Sequence, residues 1–163
     1  MTKVAIFMGS KSDLDKVKPC ADVLADLGIE FEMTITSAHR TPDRTENLIR
    51  EMEEKGCQVF ICAAGMAAHL AGAVAARTIR PVIGIPISAS SMGGFDALLS
   101  TVQMPPGFPV GTVALDKAGA KNAAWLAAQI LALNDASLAE KIKALRQKMQ
   151  EEVKRAAEEM KLK

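Results

Sequence analysis

Between Gly56 and Ala76 the chain reads GCQVFICAAGMAAHLAGAVAA, a stretch without a single charged side chain. Its length is roughly that of a bilayer span. Gln58, His69 and three glycines (Gly56, Gly65, Gly72) interrupt it, and it divides into a strand at Val59–Ala63, a glycine turn and a helix. A strand that is apolar throughout is buried on both faces, the habit of a parallel sheet covered by helices. The stretch therefore reads as a buried βα unit, and no membrane partner is expected.

The same grammar extends in both directions. Apolar runs of strand length recur at Val4–Met8, Phe31–Thr36, Val82–Ile87 and Val110–Leu115. Helical segments separate them. Asp13–Leu27 ends at Gly28, a good C-cap, and its interior Pro19 should kink or restart it. Thr41-Pro42 supplies an N-cap and a first-turn proline for a helix to about Lys55. Further helices are expected at Ala67–Arg77, Phe95–Val102 and Ala120–Leu133. The alternation predicts one doubly wound α/β domain around a parallel sheet of about five strands.

The tail has a different character. Ser137-Leu138-Ala139-Glu140 has the form of a capping box, and Leu138, Ile142, Leu145, Met149, Val153 and Met160 repeat at helical spacing. Two coverings fit this long C-terminal helix: its own domain, or another subunit. With no internal repeat, low-complexity segment or linker, residues 1–163 are expected to form a single domain. Its α/β core spans about 3–133 and its amphipathic helix about 137–160.

Composition narrows the function. A length of 163 residues suffices for one domain with a substantial core, and 49% hydrophobic residues is an ordinary globular share. Twenty basic against nineteen acidic residues leave a net charge of +1, which argues against a general nucleic-acid binder. The three cysteines (Cys20, Cys57, Cys62) form no C-x-x-C pair and read as small core residues in a reducing compartment. The opening MTKVAIFMGS lacks the longer apolar region and cleavage site of a secretory leader, so a cytoplasmic protein is expected.

In an open α/β sheet, ligands bind beyond the carboxyl ends of the strands. Gly9-Ser10-Lys11-Ser12-Asp13 follows the first strand, Ser37-Ala38-His39-Arg40 the second, Gly65-Met66-Ala67-Ala68-His69 the third and Ser88–Gly94 the fourth. Both histidines of the chain thus fall on one rim. The first loop offers free amides and hydroxyls at a helix start, which suits a phosphate or another anion; equally, Ser10 and Ser12 can simply cap the helix. It matches neither the dinucleotide fingerprint nor the P-loop. Arg40 suits a bidentate phosphate clamp or a surface ion pair. Asp13 suits sugar hydroxyls or the helix dipole. An imidazole can move a proton either way near neutral pH, and His39, on a strand exit, is the better acid/base candidate. His69 reads as a pocket wall or a satisfied core residue. Two histidines with no cysteine beside them make a zinc site improbable, and Cys62 reads as sheet interior.

Six stretches go beyond generic chemistry: GSKSD at 9–13, SAHRTPD at 37–43, GMAAHLAG at 65–72, PVIGIPI at 81–87, LLSTVQMPPGFPVGTVAL at 98–115 and GAKNAAWLAAQIL at 119–131. Together, in order and over nearly the whole fold, they resemble the N5-carboxyaminoimidazole ribonucleotide mutases of purine biosynthesis. The resemblance implies a flavodoxin-like fold, a ribonucleotide substrate, no cofactor or metal, and an isomerase that moves a carboxylate from an exocyclic nitrogen to carbon 4 of an aminoimidazole. It further implies that His39 is the catalytic proton shuttle. Ser10, Asp13 and Arg40, with Ser37 beside them, match the ligands of ribose and phosphate. Gly65, His69 and Leu70 match the wall enclosing the carboxylate. Homo-octamers, with sites near subunit interfaces, are implied as well, which tips the tail helix towards an oligomer contact.

A sister class carboxylates aminoimidazole ribonucleotide directly with CO2. It tends to carry SAHK and to lack the second histidine, so Arg40 and His69 favour the mutases. Two positions depart from the usual pattern: Ala71 stands where AHLPG has proline, and Ala97 where a serine usually follows the aspartate. Neither removes a residue assigned to proton transfer. Competing uses of the fold fit less well. A flavin binder wants aromatic flanks, yet the chain has no tyrosine and one tryptophan, Trp125, in mid-helix. A phospho-acceptor domain wants an acidic cluster and an aspartate ending the third strand, where this chain has CAAGM. A non-catalytic binding subunit remains the other reading.

Overall fold

The structure is a computed structural model that describes residues 1–161. Five parallel strands form its sheet: β1 (Val4–Met8), β2 (Phe31–Ile35), β3 (Val59–Gly65), β4 (Val82–Ile87) and β5 (Gly111–Thr112), in spatial order β2-β1-β3-β4-β5. The helices are α1 (Leu14–Leu27), α2 (Pro42–Glu54), α3 (Leu70–Ala75), α4 (Phe95–Val102), α5 (Asp116–Ala132) and α6 (Ala136–Lys161). This is the doubly wound, flavodoxin-like arrangement expected, with a long C-terminal helix. The strand order reverses between β1 and β3, where an open α/β sheet leaves its ligand crevice.

Burial on both faces explains the continuous apolar strands. Val4, Ile6 and Met8 of β1, with Ile61 of β3 and Ile83, Ile85 and Ile87 of β4, join the core beneath α1, α5 and α6. The alternate residues Ala5, Phe7, Phe60 and Cys62 join a second core beneath α2 and α3, where the Phe7 and Phe60 rings lie 5.6 Å apart. Each fully buried large side chain contributes about 1.5–3 kcal/mol, so the central strands anchor the fold. All three cysteines are buried, and burial pushes the Cys20 thiol up to about 12 and the Cys57 thiol up to about 11. Burial also raises the Cys62 thiol, which rules it out as a nucleophile.

Several boundaries differ from the sequence reading. Residues 11–13 form a short 3-10 turn before α1, and α1 then runs through Pro19 without restarting. Gly28 does cap it, at φ 72°. α3 begins at Leu70 rather than near Ala67, because Met66 takes a left-handed φ of 56° and the chain turns before it coils. β5 keeps only two residues of the expected run, because the chain pairs with β4 only at Gly111 and Thr112 before it turns off to the left-handed Asp116 that opens α5. α6 is capped by Asp135, whose Oδ1 accepts from the Leu138 amide at 3.0 Å, so the Ser137–Glu140 box lies inside the helix. Of the α6 stripe, Leu138 and Ile142 are buried on the domain's own core, whereas Met149, Val153 and Met160 are exposed. Of the two coverings considered for the tail, its own domain therefore accounts for the first half. No helix among the described residues is long and apolar enough to cross a membrane.

Candidate active site

A cleft of about 600 Å³ opens at the carboxyl ends of β1, β2 and β3, over the point where the strand order reverses. It gathers Gly9, Ser10, Ser12 and Asp13 from the first exit, Ser37, Ala38, His39 and Arg40 from the second, and Ala64–Ala67, His69 and Leu70 from the third. The fourth exit adds Ala89. Ser10, Asp13, Ser37, His39, Arg40, Gly65, His69 and Leu70 thus meet in one place, whereas Ser88 and residues 90–94 of the fourth exit stay outside it. A larger cleft of about 860 Å³ lies at the opposite ends of the strands, among Arg77–Ile83 and Phe108. It holds neither histidine, and it sits where open α/β sheets do not bind their ligands.

The β1 exit is a tight corner. Ser10 is extended (φ −152°, ψ 153°), and its hydroxyl accepts from the Ser12 amide at 3.3 Å and pairs with the Ser12 hydroxyl at 2.9 Å. The two serines do cap the turn, yet both still face the cleft. Asp13 is only 5% exposed, and desolvation holds its carboxyl above the usual aspartate range despite hydrogen bonds from Ser10 and Ser12 and the charge of Lys16.

The β2 exit is laced by threonines. The Ser37 amide donates to Thr41 Oγ1 at 3.0 Å, the Thr41 amide returns to the Ser37 carbonyl at 2.9 Å, and Thr36 and Thr45 hydroxyls pair at 2.8 Å beneath. Thr41, expected to cap α2, spends its hydroxyl on this loop instead. The result fixes the two residues between. Arg40 donates its amide to Ser37 Oγ at 3.1 Å and its guanidinium to the Gly9 carbonyl at 3.2 Å, which aims the charge at the serine corner. Arg40 forms no ion pair among the described residues, so the surface pair considered for it is not made.

His39 and His69 come from loops thirty residues apart, and their rings meet edge to face with Nε2 of His39 2.7 Å from Nδ1 of His69. Such a contact needs one N–H and one lone pair, so the two rings hold a proton between them. His69 is exposed and precedes α3, which corrects the reading of it as a possible core residue. Leu70, 2% exposed, and Gly65 complete that wall. A side chain at Gly65 would come within 2.7 Å of Ala89 Cβ and 3.0 Å of the Ile87 carbonyl, so only glycine leaves this end closed yet unstrained. Ala71 and Ala97, the two departures from the usual pattern, are both buried and line none of the cleft.

Sequence reasoning missed Lys16 and Asp116, which meet Ser88 behind the cleft. Lys16 donates to the Ser88 carbonyl at 2.6 Å and pairs with Asp116 Oδ1 at 3.1 Å, while Asp116 accepts from the Ser88 amide at 2.9 Å and from its hydroxyl. These hydrogen bonds and Lys16 hold the Asp116 carboxyl below its ordinary range, outweighing its desolvation. Ser88 is legible as a strand exit, but no spacing links it to Lys16 or Asp116; the contact exists only through the fold.

An α/β protein with its cleft at the point where the strand order reverses is the class this fold defines. More specifically, the chain belongs to the AIR carboxylase family, whose profile matches residues 3–152. It is 52% identical over 149 residues to an N5-carboxyaminoimidazole ribonucleotide mutase of Pyrococcus abyssi, covering 91% of this chain and 84% of that one. An Escherichia coli K12 protein of the same name is 47% identical, with 93% and 89% covered. Among solved structures, PurE of Treponema denticola superposes with a TM-score of 0.84 at 31% identity, covering 92% of each chain.

Proposed function

We propose that this chain converts N5-carboxyaminoimidazole ribonucleotide to 4-carboxy-5-aminoimidazole ribonucleotide in cytoplasmic purine biosynthesis, with residues 1–163 acting as one catalytic domain. Mutases of that name share about half of its residues over most of its length. The observation that carries the mechanism is the meeting of His39 and His69 at 2.7 Å beside a serine-arginine anion corner.

The phosphate and ribose occupy the first two exits. Ser10 and Ser37 donate hydroxyls, Arg40 supplies the charge, and Asp13 accepts from a ribose hydroxyl. The aminoimidazole then lies towards Gly65, His69 and Leu70. The bond between the exocyclic nitrogen and its carboxylate breaks, CO2 departs, and the electron pair returns to nitrogen, which takes a proton from the His39 imidazolium. Carbon 4 attacks the retained CO2, and neutral His39 removes the carbon 4 proton, so the imidazolium is regenerated. Such a shuttle contributes about 10²–10⁴-fold. His69 anchors the shuttling ring until substrate enters. The small apolar wall of Gly65, Leu70 and Ala89 keeps CO2 beside carbon 4 and away from water. The reading calls on no cofactor or metal.

The reading also includes a homo-octamer with sites near subunit interfaces. Phe95, Leu99 and Val102 of α4 and Met149 and Val153 of α6 are all exposed, which supports packing between copies. The decisive experiment supplies the purified chain with N5-carboxyaminoimidazole ribonucleotide, and separately with aminoimidazole ribonucleotide and bicarbonate. Fast formation of the carbon-carboxylated product from the first alone is expected. Formation from the second alone would move the chain to the direct carboxylases, and silence in both would leave a binding subunit.

A further inference from the structure

The stretch from Ser88 to Gly94 touches the cleft through one residue, Ala89, and Ala89 closes the Gly65 end. Ser88 stands immediately before it, and every polar group of Ser88 is taken. Its carbonyl and hydroxyl accept from Lys16 Nζ at 2.6 and 2.9 Å, its amide donates to Asp116 Oδ1 at 2.9 Å, and its hydroxyl donates to Asp116 Oδ2. Lys16 and Asp116 are roughly one-third exposed and pair with each other at 3.1 Å. Three elements thereby converge on one residue: α1 through Lys16, the exit of β4 through Ser88, and the start of α5 through Asp116.

Asp116 reaches Ser88 from an uncommon backbone. Its φ is 54°, one of two left-handed non-glycine residues among those described; the other, Met66, lies in the cleft itself. A residue held in this region marks a position where the surrounding contacts outweigh the local strain. Beyond Ser88 the loop is held mainly by short-range bonds of its own, from the Met92 amide to Ser90 Oγ and from the Phe95 amide to the Met92 carbonyl. Ser88 is therefore the point at which this loop is fastened to the body of the domain.

We infer that Lys16, Ser88 and Asp116 form a positioning clamp that holds Ala89 as a wall of the cleft, so that the carbon dioxide released in the reaction is retained for recapture. None of the three acts on the substrate itself; they act through Ala89. The inference rests on the function proposed above, because only a reaction with a free intermediate has something to lose when the wall loosens.

Asp116→Gly tests it cleanly, since glycine relieves the left-handed φ while deleting the carboxylate. Amide hydrogen exchange across residues 86–94 and the fate of N5-carboxyaminoimidazole ribonucleotide are measured on the full-length parent, Asp116→Gly and Ser88→Ala. In both variants exchange in the loop is expected to quicken by about tenfold. The fraction of turnovers that end in free aminoimidazole ribonucleotide and CO2 is expected to rise by about tenfold, with KM nearly unchanged. Exchange at the parental rate would overturn the clamp outright. Faster exchange with an unchanged product ratio would reduce it to a local structural contact and overturn its positioning role. A parent that forms no carbon-carboxylated product would sink the proposed function instead, and the exchange rates would still judge whether the clamp exists.

Discussion

His39 and Asp13 set two titratable groups in one cleft in opposite surroundings, one exposed and one buried. His39 is exposed and hydrogen-bonded to His69, and the function proposed above makes it the proton shuttle. His39→Asn preserves size and polarity but deletes the shuttle, and kcat should fall by about 10²–10⁴-fold with KM little changed. A steady-state assay showing loss in KM alone would remove His39 from the chemistry. Asp13 is buried, and desolvation raises its carboxyl above the unfolded value of 3.8. Its folded form therefore binds a proton more readily than its unfolded form. Above the folded pKa, ionised Asp13 weakens the empty fold, and acidification through that pKa towards 3.8 relieves the penalty. Asp13→Asn should raise Tm at neutral pH by about 2 °C and flatten this pH dependence, while substrate binding weakens. Thermal melts across pH check it: a lower Tm at neutral pH would mean that Asp13 belongs to the folding machinery rather than to the ligand.

At the level of elements, the central strands and most helices were legible because their signals are local. Val4–Met8 and Val82–Ile87 are apolar at every position, and Gly28 marks the end of α1 by backbone conformation alone. What failed was set by distant partners. The β5 run could not show that pairing would stop at Thr112, because that depends on where β4 lies beside it. The true cap of α6, Asp135, was hidden by a better-looking motif two residues on. Both histidines were legible as rim residues, yet their hydrogen bond was not, since thirty residues of intervening chain decide it. Gly119 is of the same kind. In sequence it stands just before the helix expected from Ala120, but α5 already begins at Asp116, and a Cβ at Gly119 would fall inside the Ala114 carbonyl group, where α5 turns back on the chain leaving β5. Backbone cannot step aside as a flexible side chain can. Gly119→Ala should destabilise the protein by about 2–3 kcal/mol, lowering Tm by roughly 5–10 °C. Alanine normally favours a helix interior, so a neutral or raised Tm would show that the close approach is absent.

For the whole molecule, the second half of α6 poses the remaining physical problem. Met149 is 47% and Val153 is 70% exposed, on a helix whose first turns already cover the core through Leu138 and Ile142. The polar face around them alternates Lys148, Glu151, Glu152 and Lys154, as a solvated helix does, so the apolar line is confined to one side. A line of this sort gains little by extending into water but about 1.5–3 kcal/mol for each large side chain that a second copy covers. In a closed ring or double ring every copy repeats that gain, and a change on one chain is felt at every equivalent contact. The parent is therefore expected to sediment near eight times 17.3 kDa, and the double variant Met149→Glu with Val153→Glu as a smaller species. Far-UV circular dichroism should stay unchanged, because these side chains support nothing in the single subunit. If the sites lie near the interfaces as proposed, turnover should fall in step with the loss of assembly. A parent that sediments as one chain, or a double variant that keeps the full assembly, would put the contact elsewhere and return the exposed half of α6 to solvent.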